Sequence, residues 1–124
     1  MSNPIYDEVD GAPEPQTLDE IRHHQAQLRS VVEFGDKAKR LAEDPDFKAL
    51  ILDFYMVKEP ARLVGFLAAG NIPEGQRDVV TAELRAIGHL KNTLSGIVQA
   101  GASAAHDLAE VNGAIAEYLE EGGE

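Results

Sequence analysis

The sequence predicts an all-α fold of one domain, and three observations predict it. Apolar residues recur every three and four places, the period of one helix face. Two helix start signals, a capping box at Thr17 and an Asp-Pro pair at Asp44, stand just ahead of periodic stretches. From Val80 onward the apolar pattern repeats every seven residues for about six heptads. The expected architecture is a helical bundle in which two long helices, the C-terminal one coiled-coil-like, bracket two short ones. A chain of 124 residues, 44% of them hydrophobic, suits one domain with a modest core. It divides into a flexible acidic arm (1–16), a helical domain (17–119) and a flexible acidic tail (120–124).

The arm contains Pro4, Pro13, Pro15 and Gly11 and has no helical or strand period, so it reads as extended. Thr17-Leu18-Asp19-Glu20 then forms a capping box, with the threonine hydroxyl accepting from the backbone N–H three residues on. Leu18, Ile21, Gln25, Leu28 and Val32 make one stripe, and the helix is expected to reach about Glu43. Gly35 lies within it and marks a bend or a close contact.

Asp44-Pro45 starts the second helix, with aspartate at the cap and proline at the first helical position. Phe47, Leu50, Ile51, Phe54 and Val57 line one side, and Leu52, Tyr55 and Met56 make the rest apolar as well. Such a helix belongs at a bundle centre or an interface. Glu59-Pro60 is expected to break the run, and Ala61 to Ala69 to form a third, short helix closed by Gly70.

Three sets of residues repeat by sevens in the last segment: one from Val80 to Ile115, one from Leu90 to Tyr118, and one from Leu84 to Leu119. A stripe that wide suits a bundle or a multi-helix coiled coil. A helix from Glu74 to Leu119 would be about 70 Å long at 1.5 Å per residue, more than the short helices can cover. Gly96 to Ala105 is its weak point, either a small-residue stretch allowing close helix approach or a hairpin loop at Gly101-Ala102-Ser103. The heptad phase is kept across it, which favours a continuous helix. Lys91 and Asn112 are polar exceptions in the stripe. Either they are buried and set register, with Lys91 facing Glu33 or Asp36, or they lie at the stripe edge and reach water.

The charge is unevenly spread. The net charge is −11, yet residues 1–20 hold six acids and residues 92–124 six more, with no Lys or Arg in either. The middle holds ten acids and all eleven bases. Acidic ends disfavour phosphate binding over the whole surface. Lys37, Lys39, Arg40 and Lys48 form the densest basic cluster, and a recognition helix starting near Arg77 would carry acids beside its arginines, so nucleic acid is not the expected partner. No run of about 18 apolar residues exists to span a membrane, and the N-terminus lacks the basic start and apolar core of a secretory signal.

The chain has no cysteine, which excludes disulfides and thiolate sites. His23 and His24 are adjacent, and His89 and His106 are isolated, so helical spacing gathers no metal ligands. Asp44 and Asp46 are explained by capping. There is no phosphate loop and no nucleophile elbow. The reading therefore carries no catalytic, metal or cofactor residue and no small-molecule substrate.

The segment from Leu41-Ala42-Glu43-Asp44-Pro45-Asp46-Phe47 through Phe54-Tyr55 to Ala61-Arg62-Leu63-Val64 resembles small helical proteins encoded among the virion-assembly genes of tailed bacteriophages. The resemblance covers residues 18–119 as helical texture with a Pro-Asp-Phe helix start. It implies an oligomeric structural or assembly factor of the virion and transfers no site residue.

The expectation is a non-enzymatic protein that acts by helix–helix association with itself or with other virion proteins, in the virion or the host cytoplasm. Phe54, Tyr55, Phe66, Ile87, Leu94, Val98, Leu108 and Ile115 are the candidate interface residues. Two other classes fit the charge pattern. One is an acidic inhibitor or nucleic-acid mimic that binds a basic host protein. The other is a DNA-binding packaging or regulatory subunit with a coiled-coil oligomeriser.

Overall fold

The computed structural model describes residues 17–122, so the arm expected over 1–16 and the last two residues of the expected tail lie outside it. Within that span the chain is all-α. Helix α1 (Leu18–Glu43) is followed by a single turn, α2 (Pro45–Phe47), a π-wound stretch (Lys48–Lys58), α3 (Glu59–Ala69) and the long helix α4 (Glu74–Glu120). No strand occurs among the described residues.

The caps form largely as the sequence predicts. Thr17 Oγ1 accepts from the Glu20 backbone N–H at 3.1 Å, and its hydroxyl donates to Glu20 Oε1 at 3.1 Å. Asp44 ends α1 and begins the next helix. Its N–H donates to the Leu41 carbonyl, while its Oδ1 accepts from the Asp46 and Phe47 N–H groups at 3.0 and 2.9 Å. Gly70 closes α3 with φ +78°, the left-handed conformation that suits glycine at this cap.

The expected break at Glu59-Pro60 does not occur. Phe47, Lys48, Lys58 and Glu59 all keep right-handed helical dihedrals, so Pro45 to Ala69 is one continuous helical segment. Proline in a regular α-helix presses on the carbonyl four residues back. Here the preceding turns are wound one residue wider, and the Glu59 N–H reaches the Phe54 carbonyl, five residues back. The helix passes the proline unbroken, going from π to α winding at Glu59.

Helix α4 is continuous for 47 residues, about 70 Å, through the small-residue stretch at Gly96 to Ala105. It runs antiparallel to everything before it. Gln25 of α1 meets Asn112, Gly35 meets Gly101, and Leu41 stands beside Leu94. Beyond the end of α1, the segment from Pro45 to Ala69 continues along α4 in the same direction, until Leu63 packs with Val80. The described chain is thus a long hairpin, two helices thick.

Its packing has two centres. At the turn end, Leu63, Val80 and Ile87 are buried, and Tyr55, Met56, Leu67, Ile72 and Leu84 pack around them. In the middle, α1 crosses α4 with backbone on backbone. A Cβ on Gly35 would stand 3.0 Å from Gly101 Cα and 3.3 Å from the Ile97 carbonyl oxygen. Both glycines are buried, and Ala104 beside them is 4% exposed. The stripe expected from Leu18 to Val32 faces α4 along its whole length, with all five of its residues half-buried.

Candidate functional site

Two helices cannot cover the apolar residues this chain carries, and the feature that stands out is the surface left over. Among the described residues only four hydrophobic side chains are buried: Leu63, Val80, Ile87 and Ala104. Val31, Phe34 and Leu41 of α1, Leu50, Phe54 and Val57 of the π-wound stretch, Val64 and Phe66 of α3, and Val79 and Leu119 of α4 are all exposed. Isolated exposed apolar residues are ordinary on protein surfaces; rows of them are not.

The row on α1 follows from helix geometry. Val31, Phe34, Ala38 and Leu41 step by three and four, one position away from the inward residues Val32, Gly35 and Ala42. They form a second stripe on the flank of the first. Opposite them, the same flank of α4 offers the small residues Thr93, Gly96 and Ala100 beside Ile97. Between these rows lies a shallow trough of about 550 Å³, lined by Ser30, Val31, Phe34, Thr93, Gly96, Ile97 and Ala100. It is continued by a smaller groove lined by Phe34, Lys37, Ala38, Leu41, Leu94 and Ile97. A further hollow of about 300 Å³ marks the junction where α1 ends, lined by Ala42, Phe47, Leu52, Val98 and their neighbours.

The candidate interface residues separate into three groups. Phe54 and Phe66 are exposed, at 51% and 49%. Leu94 and Val98 are half-buried and line the junction hollow. Tyr55 and Ile87 belong to the core at the turn end, and Leu108 and Ile115 are half-buried on the seam toward α1. The structure therefore brings only part of the set to the surface. Sequence reasoning missed Val31, Phe34, Leu41 and Gly96. The signal for the first three was present as the three-and-four spacing beside the main stripe.

Polar groups near these surfaces are mostly satisfied locally. Ser30 and Thr93 donate their hydroxyls back to the Ala26 and His89 carbonyls, at 3.3 and 2.8 Å. Glu59 takes a two-pronged hydrogen bond from Arg62, Nε to Oε1 at 2.7 Å and Nη2 to Oε2 at 3.0 Å. That hydrogen bond holds the Glu59 carboxyl below its ordinary value and pushes the Arg62 guanidinium above its own. Arg62 also lies 5.5 Å from the centre of the Phe66 ring, within cation–π range.

Of the two polar exceptions in the long stripe, Lys91 is exposed and reaches water, with no need of Glu33 or Asp36. Asn112 is also exposed, yet its Oδ1 accepts from Gln25 Nε2 at 2.7 Å across the hairpin. Among the described residues, no three His, Asp or Glu side chains converge as a metal site would need, and no helix is long and apolar enough to cross a membrane.

No protein-family model matches this chain, and neither a curated protein nor a solved structure proves similar to it. Its functional reading rests on its own residues and surface.

Proposed function

We propose that this protein is a non-enzymatic structural or assembly factor of a tailed-bacteriophage particle, working through helix–helix association. The observation that carries the association is the pair of exposed apolar flanks on a hairpin only two helices thick. Phe34 is 57% exposed, Leu50 65% and Val57 63%, although each lies on a helix whose other face is already packed. Burial of such side chains stabilises by about 25 cal/mol per Å² of apolar surface, so helices placed against these flanks gain free energy that the single chain does not realise. The phage setting rests on the resemblance of the Leu41 to Val64 segment. It places the protein in the virion, or in the host cytoplasm during assembly.

Quantitative mass spectrometry of purified virus particles and of their assembly intermediates, from the host that makes this chain, tests the setting. The chain should be recovered in a fixed ratio to the other particle proteins in at least one of the two. Its absence from both would overturn the reading.

A further inference from the structure

We propose that the segment from Pro45 to Ala69 has two windings, its present one and one that is α throughout, and that Pro60 holds it in the first. Rewinding turns α3 about its own axis and exchanges the apolar face laid on α4 for the one now exposed. The proposal is independent of the assembly setting.

Two apolar faces are built into this segment, one for each winding. Inward, Tyr55, Met56 and Leu67 pack around the buried Leu63. Outward, Leu50, Phe54, Val57, Ala61, Val64 and Ala68 step alternately by four and three, and every one is exposed. That alternation is the seam of an α-helix. The π winding from Lys48 to Lys58 keeps it from being the packed face.

Geometry connects the two faces. An α turn takes about 3.6 residues and a π turn about one more, so the 11 π-wound residues hold roughly two more than the same number of α turns would. Rewound, they carry α3 round by about two residues, a little over half a turn. Leu63 then points away from α4, and Ala61 and Val64 come in its place. The connection from Gly70 to Pro73 is non-helical and can take up the turn.

Pro60 tips the balance between the windings. π winding is rare and mostly limited to single turns, so a run of 11 residues is held by side-chain packing rather than by backbone preference. That packing is thin, since no residue of the run is buried. Backbone preference therefore pulls toward α. Pro60 pulls the other way. It stands in the first turn of α3, where proline is tolerated. In a segment that is α throughout it stands mid-helix, with its ring against the Met56 carbonyl and no N–H to donate. Two packings of one sequence, opposed by a single residue, make a two-state element.

The chain has no cysteine, so a single introduced thiol reports on each side of the turn-end core. Full-length Leu63→Cys and Ile87→Cys, each with and without Pro60→Ala, are compared in their rate of labelling by a water-soluble maleimide. Both positions are buried in one cluster, at 2% and 4% exposure. Rewinding uncovers only the first, because the opposite face of α3 then lies over Ile87. With Pro60 in place both thiols should react slowly. Pro60→Ala should speed Leu63→Cys on the order of tenfold or more, with helical circular dichroism retained and Ile87→Cys unchanged. An unchanged or slower Leu63→Cys overturns the second winding, since replacing proline by a better helix former then only firms one structure. Acceleration at both positions, or at Ile87→Cys alone, overturns it too, because it reports opening of the turn end rather than rotation of α3. Should Leu63→Cys lose its helical circular dichroism, Leu67→Cys on the same face and half-buried gives the same reading.

Discussion

Glu59 shows how one residue can serve against its sequence signal. Before a proline it reads as a stop, yet it is the first residue of α3, and its carboxylate holds Arg62 over Phe66. The direction of its shift fixes a pH dependence. A carboxyl held below its ordinary value contributes stability that is present above that value, and loses it as pH falls through the folded one. Glu59→Gln should therefore melt below the unaltered protein at neutral pH, with the gap closing on acidification below the carboxylate range. Melting followed by circular dichroism reads this directly. A gap that stays constant across that range would show that the carboxylate charge plays no part. The exposed setting keeps the effect small.

At the scale of elements, the crossing of α1 and α4 is the contact most sensitive to a single methyl group. Gly35→Ala forces the new Cβ against Gly101 Cα and the Ile97 carbonyl, both backbone, so neither can rotate away. Overpacking of this kind costs about 1–3 kcal/mol, against a helix-propensity gain of about 1 kcal/mol for replacing glycine. Gly113 lies in the same hairpin with open space around it, so Gly113→Ala should gain up to about 1 kcal/mol with nothing opposing it. Urea denaturation should accordingly give a lower midpoint for Gly35→Ala and a higher one for Gly113→Ala. Higher midpoints in both would remove the close approach.

Much of this level was legible in the sequence. The capping box, the Asp44 cap and the stripe from Leu18 to Val32 are local patterns with one physical meaning. The kept heptad phase through Gly101 correctly argued for an unbroken α4. The join across Pro60 was not legible, because it depends on a change of winding that residue spacing does not encode. Nor was the fate of the third row of the stripe. Leu84 and Val98 are half-buried, but Ala105 and Leu119 are exposed, because periodicity tells which side is apolar and not what covers it.

At the scale of the whole molecule, charge and apolar surface are placed apart. Twelve acids sit in residues 1–20 and 92–124, while the trough between Phe34 and Gly96 is lined by none. Helices that meet the chain through apolar surface are not held by charge, so the contact should survive high salt. Salt screens charge contacts over about 10 Å at 0.1 M, so docking of the acidic ends on a basic protein would weaken instead. Washing purified particles and assembly intermediates at low and at high salt, with the chain followed by quantitative mass spectrometry, is the most direct test of assembly through helix–helix association. The account predicts a fixed ratio of this chain to the other particle proteins, unchanged by high salt. Absence of the chain, or its release by high salt, would contradict it.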